Sequence, residues 1–172
     1  QTTTQIRALE TRDVAVLTTE QVVALTSAQV GALTTAEIGA LSTAAVAAIE
    51  TSDLQALTTA QVAALSTAQV LALTTEQLTV MSTLQIAALE TRDLVVLTTE
   101  QVSVLDTAQI AALTSAQVGA LSTSQLTSLS TDQVTALETT DLMALSTVQI
   151  QSLTTDQIVA LTTSQIEALT TT

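Results

Sequence analysis

The 172-residue chain contains no Cys, His, Lys, Pro, Phe, Tyr or Trp, and only three Gly and three Arg. Each absence closes a class of function. Without His, Cys, Lys or Tyr the usual general acids and bases, covalent nucleophiles and soft metal ligands are missing, so the composition predicts no enzyme. Sixteen acidic residues give a formal net charge of −13. With no aromatic side chain either, the chain lacks the basic groove and the stacking platform that nucleic acid requires. No apolar run approaches the ~18 residues of a membrane span, and no signal-peptide pattern is present. The lack of Cys is compatible with secretion.

What is present is aliphatic and periodic. Apolar residues make up 47% of the chain and mean hydropathy is +0.52, whereas disorder goes with low hydrophobicity. From Thr3 the sequence divides without insertion or deletion into 21 octads, Thr3–Glu10 to Thr163–Thr170, with Gln1-Thr2 and Thr171-Thr172 left at the ends. The consensus is T-x-Q-V-x-A-L-T, with positions labelled a to h. Position d is aliphatic in every octad, and g is Leu in 19 of 21, with Ile49 and Met81 as exceptions. Position f is mostly Ala, a is Thr or Ser throughout, and c is Gln in 15 octads. Positions b and e accept Arg7, Arg12, Glu20, Gly31, Leu71, Met143 and Glu167 alike and therefore read as solvated. The expected organisation is a single repeat array over residues 1–172, without distinct terminal caps. Its start at Gln1 reads as that of a processed product or an excerpt of something longer.

The period of eight restricts the backbone. Two apolar positions per octad average about 4.0 residues per contact, beyond the 3.6–3.67 of straight or right-handed supercoiled helices. An uninterrupted helix is therefore not expected. A strand would place d and g on opposite faces, and it would need turn residues, yet Gly31, Gly39 and Gly119 all occupy position e. With h as N-cap, by contrast, Thr18-Thr19-Glu20-Gln21 is a capping box, and the pattern recurs at Thr26/Gln29, Thr58/Gln61, Ser66/Gln69, Thr74/Gln77 and Ser146/Gln149. In such a box the hydroxyl accepts from the N3 amide while Gln reaches back to the N-cap amide. The predicted fold is all-α: a solenoid of very short capped helices, one per octapeptide, each stable only by stacking on its neighbours. A β-solenoid with Thr ladders is the alternative. The spacing does not give the number of octads per turn.

The exceptions to the consensus are acidic. Position h is Glu at Glu10, Glu50, Glu90 and Glu138, and each time the next c residue is Asp: Asp13, Asp53, Asp93 and Asp141. Nowhere else is c an Asp; the fifth acidic h residue, Asp106, keeps Gln109. This covariation implies that the h and c side chains meet. These E-T-x-D sites read as alternative caps, favoured at a helix N-terminus. The alternative is Ca²⁺ ligation by the same eight carboxylates, as hard-cation chemistry would allow. Arg12 and Arg92 lie inside two of the sites, Arg7 is three residues from Glu10, and no octad holds a six-oxygen set. No cofactor is therefore expected, with calcium as the exception to test.

Over its whole length, as in Ala56-Leu57-Thr58-Thr59-Ala60-Gln61-Val62-Ala63-Ala64-Leu65, the chain resembles the L-T-T-x-Q-V/I-x-A-L tandem-repeat tracts of large secreted or surface proteins of Gram-negative bacteria. The resemblance implies an extracellular or cell-surface location and a structural role. Leu17–Leu25 is also similar to the opening helix of transcription-activator-like effector repeats, but the second helix, base-reading loop and basic residues of that family do not follow. The expected function is that of an elongated, acidic structural solenoid, a filament subunit or surface spacer. Its expected partner is itself, end to end, or more repeats of the same parent chain. The alternative is a repetitive binding module for Ca²⁺, a glycan, ice or an adhesion partner. The choices at e (Arg7, Ala15, Val23, Gly31, Gly39, Ala47, Gln55) show no repetition, which favours the passive fibre.

Overall fold

A computed structural model describes residues 2–170. Among the described residues every octad forms one helix, from Thr3–Ile6 to Thr163–Thr170, and there is no strand. The helix starts at position a because position h caps it. At the octad opened by Thr67, the Gln69 N–H donates to Ser66 Oγ (3.4 Å) while the Ser66 N–H donates to Gln69 Oε1 (2.7 Å). Asp106 performs the same task with a carboxylate, accepting from the Gln109 N–H at 2.7 Å. The fold is therefore the helical solenoid that the capping boxes predict, and the Thr-ladder β-solenoid is not formed.

Helices this short must end cleanly, and many of them end at g, others one or two residues earlier. Leu89 has φ −61° and ψ 137°, and Leu121 has φ −59° and ψ 137°. The h residue that follows is extended too, as at Ser82 with φ −68° and ψ 158°. Two consecutive residues near the polyproline II region turn the chain from one helix to the next. The g amide still donates to the d carbonyl, as from Leu89 to Ile86 (3.2 Å), which tightens the last turn. Any L-residue adopts these dihedrals. Among the described residues no cis peptide and no positive φ occurs, so the corners need neither Pro nor Gly.

The chain divides into two compact units, Gln1–Leu89 and Glu90–Thr172. In each unit every octad packs on the octads three before and three after it. One solenoid turn is thus three octads, which the sequence alone left open. In the first unit octads 1, 4, 7 and 10 form one column, octads 2, 5, 8 and 11 a second, and octads 3, 6 and 9 a third. In the second unit the columns are octads 12, 15, 18 and 21, octads 13, 16 and 19, and octads 14, 17 and 20.

The d and g positions fill the space between columns. Ile38, Leu54, Leu78, Ile86 and Leu126 at d are fully buried, and Leu65 and Leu73 at g are nearly so. Position e departs from the solvated role its variability implies. A Cβ on Gly119 would stand 2.9 Å from the Ala144 carbonyl oxygen, and one on Gly31 3.1 Å from that of Ala56. Position e therefore lies against the f carbonyl of the following turn. Larger e residues are accommodated by keeping about half their surface in solvent, as Val23, Leu71 and Met143 do.

Truncation of a d residue removes contacts that nothing else supplies. Leu126→Ala is expected to cost about 2–5 kcal/mol of unfolding free energy, measured by urea denaturation.

Candidate functional site

The polar chemistry inside this solenoid belongs to position c. In the interior octads the Gln side chain is buried, at 2% exposure for Gln69, Gln77, Gln117 and Gln125. Its Oε1 accepts the N-cap amide of its own helix, and its Nε2 reaches backwards. Gln69 Nε2 donates to Ile38 O (2.9 Å) and Leu41 O (2.7 Å); Gln77 Nε2 donates to Val46 O (2.9 Å) and Ile49 O (2.8 Å). In the second unit Gln125 reaches Leu94 O and Leu97 O, both at 2.8 Å, and Gln157 reaches Leu126 O and Leu129 O at the same distance. The acceptors lie 31 and 28 residues upstream, at the d and g carbonyls four octads earlier. The d carbonyl already accepts the g amide of its own helix, so the carboxamide brings it a second donor and brings the g carbonyl at the helix end one as well. One carboxamide therefore caps the start of one helix and the end of another.

Aspartate cannot do this, because it has no donor. The E-T-x-D octads solve the problem differently. Asp53 is 3% and Asp141 4% exposed. Asp53 Oδ1 accepts from Ser27 Oγ at 2.6 Å, and Asp141 Oδ1 from Ser115 Oγ at 2.7 Å. Both hydroxyls come from position a one turn earlier, and short charge-assisted bonds of this kind are the strong ones. The partner of these two Asp side chains is therefore found 26 residues upstream. Sequence reasoning missed these serines although a signal was present. Ser27 and Ser115 are the only Ser residues at position a, and both open the segment S-A-Q-V-G-A-L, whose glycines are Gly31 and Gly119. The octad below an E-T-S-D or E-T-T-D octad thus brings both the hydroxyl and the room for close approach.

The predicted h–c meeting occurs at the first site, where the Glu10 N–H donates to Asp13 Oδ2 at 3.2 Å. Arg12 bridges Glu10 (2.9 Å) and Asp13 (3.7 Å), and Arg92 bridges Glu90 (2.6 Å) and Asp93 (3.8 Å). Glu10, Asp13, Glu50, Glu90 and Glu138 are exposed, whereas Asp93 is completely buried. Among the described residues no three carboxylates gather into a group able to hold a metal ion. The sites do not form a regular row either. In the first unit Asp13 and Asp53 belong to octads 2 and 7, in different columns; in the second, Asp93 and Asp141 belong to octads 12 and 18, in one column but two turns apart.

Two consequences are measurable. Gln77→Leu strips the Val46 and Ile49 carbonyls and the Thr74 amide of a partner and is expected to cost about 1–3 kcal/mol or more, with Gln77→Glu worse because it sets an oxygen against two carbonyls. Ser115→Ala is expected to destabilise by about 1–3 kcal/mol through the buried Asp141 carboxylate. Combining it with Asp141→Gln, which restores the consensus donor, is expected to recover most of the loss in a double-mutant cycle read by urea denaturation.

Comparison with known proteins places this pattern. Four successive stretches, residues 6–43, 46–83, 86–123 and 134–171, match the ALTTAQ repeat. No curated protein matches the chain. Each matched stretch begins four residues before one of Glu10, Glu50, Glu90 and Glu138. The E-T-x-D octads therefore mark a longer repeat superposed on the single octad, of five octads between the first three stretches and six before the last.

Proposed function

Because the chain belongs to the ALTTAQ repeat family, we propose that it acts as a structural element, an extracellular filament component or surface spacer, without catalysis and without a bound cofactor. The observation that carries this reading is the use made of the buried polar groups. The c-position carboxamides hold helices of neighbouring turns together, and the Asp53 and Asp141 carboxylates are held by serine hydroxyls of the preceding turn. The interior therefore offers a framework in place of a reactive centre. The outer positions support the same reading. In the first unit the acidic sites fall in different columns and form no continuous row of carboxylates for a cation. A net charge of −13 restrains side-to-side association. No helix among the described residues is long and apolar enough to cross a membrane.

Two experiments test the proposal. Antibody to the chain is expected to label intact source cells or their shed material; labelling confined to permeabilised cells would overturn the surface role. Calcium at millimolar concentration is expected to leave the melting temperature unchanged. A rise that disappears in Asp53→Asn or Asp93→Asn would instead establish cation binding at the E-T-x-D sites.

A further inference from the structure

Three consecutive octads of the first unit lack the glutamine on which the rest of the ladder is built. Position c is Glu37 in octad 5, Ala45 in octad 6 and Asp53 in octad 7, and all three are buried. Octads 5 to 7 make one complete turn, so the gap spans a whole layer. A glutamine at these positions would reach the carbonyls 31 and 28 residues upstream, as Gln69 does. Those are Ile6 and Leu9, Val14 and Leu17, and Val22 and Leu25, the d and g carbonyls of octads 1 to 3. Alanine has no polar group, and a carboxylate offers acceptors alone. Glu37 still caps its own helix, accepting from the Thr34 N–H at 2.5 Å, and Asp53 takes its donor from Ser27 in octad 4. Neither serves the turn below. Among the described residues no hydrogen bond links residues 3–25 to residues 35–57. Ile6, Val14 and Val22 are nonetheless buried to 1% or less, so the seating of the first turn is apolar. One turn further on, Gln61, Gln69, Gln77 and Gln85 donate to the Leu33, Leu41, Ile49 and Leu57 carbonyls at 2.6, 2.7, 2.8 and 2.9 Å. Gln55 Nε2 adds a bond to Val80 O at 3.0 Å. Among octads 16 to 21 of the second unit only that of Asp141 interrupts the ladder, and Gln133 and Gln149 continue it on either side.

We propose that the solenoid carries a built-in seam between octads 1 to 3 and octads 5 to 7, at which the first turn opens as one piece while octads 8 to 11 stay bridged to octads 4 to 7. The g and h corners hold no left-handed residue on either side, so the seam resides in the c side chains. Opening elsewhere in the first unit breaks two buried bonds for each carboxamide, whereas opening here breaks none. It also returns the buried Glu37 carboxylate to water, which favours the open form. A helix of four or five residues released from its stack does not persist, so octads 1 to 3 lose their structure together. Because each octad packs only on those three before and three after it, the loss stops at the first bridged layer. The seam is a local unfolding unit defined by residue choice at three successive positions.

The test is native-state amide hydrogen exchange of the full chain, read by NMR. Amides of the helices Thr3–Ile6, Thr11–Val14 and Thr19–Val23 are expected to exchange together, at least roughly a hundredfold faster than those of Thr59–Ala63, Thr67–Leu71 and Thr75–Val80. Position in the chain alone could speed exchange in the first turn, so two variants that restore the donor decide the matter. Glu37→Gln is expected to slow exchange in octads 1 to 3 roughly tenfold, as a buried hydrogen bond regained would, and to leave octads 8 to 11 unchanged. Glu37→Gln/Ala45→Gln/Asp53→Gln is expected to slow it further. Circular dichroism confirms that each variant is folded; if the triple variant is not, Glu37→Gln decides alone. Equal protection throughout the first unit of the unaltered chain, or fast exchange in octads 1 to 3 that the restored donors leave unchanged, would overturn the seam. So would a slowing shared equally by octads 8 to 11. None of these results bears on the structural reading above, which surface labelling of cells decides.

Discussion

The carboxamide of the position-c glutamine is the interaction on which the rest of the structure depends. A helix of about five residues has almost as many orphan amides and carbonyls as internal hydrogen bonds, and alone in water it does not persist. Here Oε1 takes an amide at the beginning of one helix while Nε2 supplies two carbonyls at the end of another, as Gln69 does between Ser66 and the pair Ile38 and Leu41. No other side chain of that length offers an acceptor and two donors from one rigid plane. Glutamate and aspartate keep the capping half of the task and lose the donating half. The Ser27–Asp53 and Ser115–Asp141 pairs show what is then required: a new donor from the turn below.

Much of this was legible in the sequence, and what was not has a physical reason. The capping boxes could be read because they are local, three residues from hydroxyl to amide, and the buried d and g positions because they never accept a polar residue. The number of octads per turn was hidden because the bonds that set it join side chains to backbone. A carbonyl 28 or 31 residues away has no identity of its own to vary with Gln69 or Gln125. Only where the donor is a side chain does the turn leave a mark, and the two serines at position a are that mark. Position e misled for a related reason. Variability there records that bulky residues escape into solvent, whereas the close approach to the next turn is visible only where Gly31 and Gly119 allow it.

Two periods coexist in the chain and do not divide one another. The longer repeat returns every five octads between its first three occurrences, while a turn takes three. Successive E-T-x-D octads of the first unit consequently change column, which keeps the acidic sites from stacking turn upon turn. Before the last occurrence the interval lengthens to six octads, and the sites of octads 12 and 18 share a column. Octad 15, which carries Ser115, lies between them and supplies the hydroxyl that Asp141 needs.

The plain corner at g and h has a mechanical consequence. A junction that uses no left-handed residue, no cis bond and no special side chain stores no local strain, so corner for corner one turn differs little from the next in its resistance to opening. Tension along either unit is then met by a series of similar, independently yielding elements in place of a single brittle one. Each turn of three octads that gives way releases roughly 80 Å of extended chain, and it reforms from contacts within a few dozen residues. A material built from such turns dissipates a pull in small, recoverable steps.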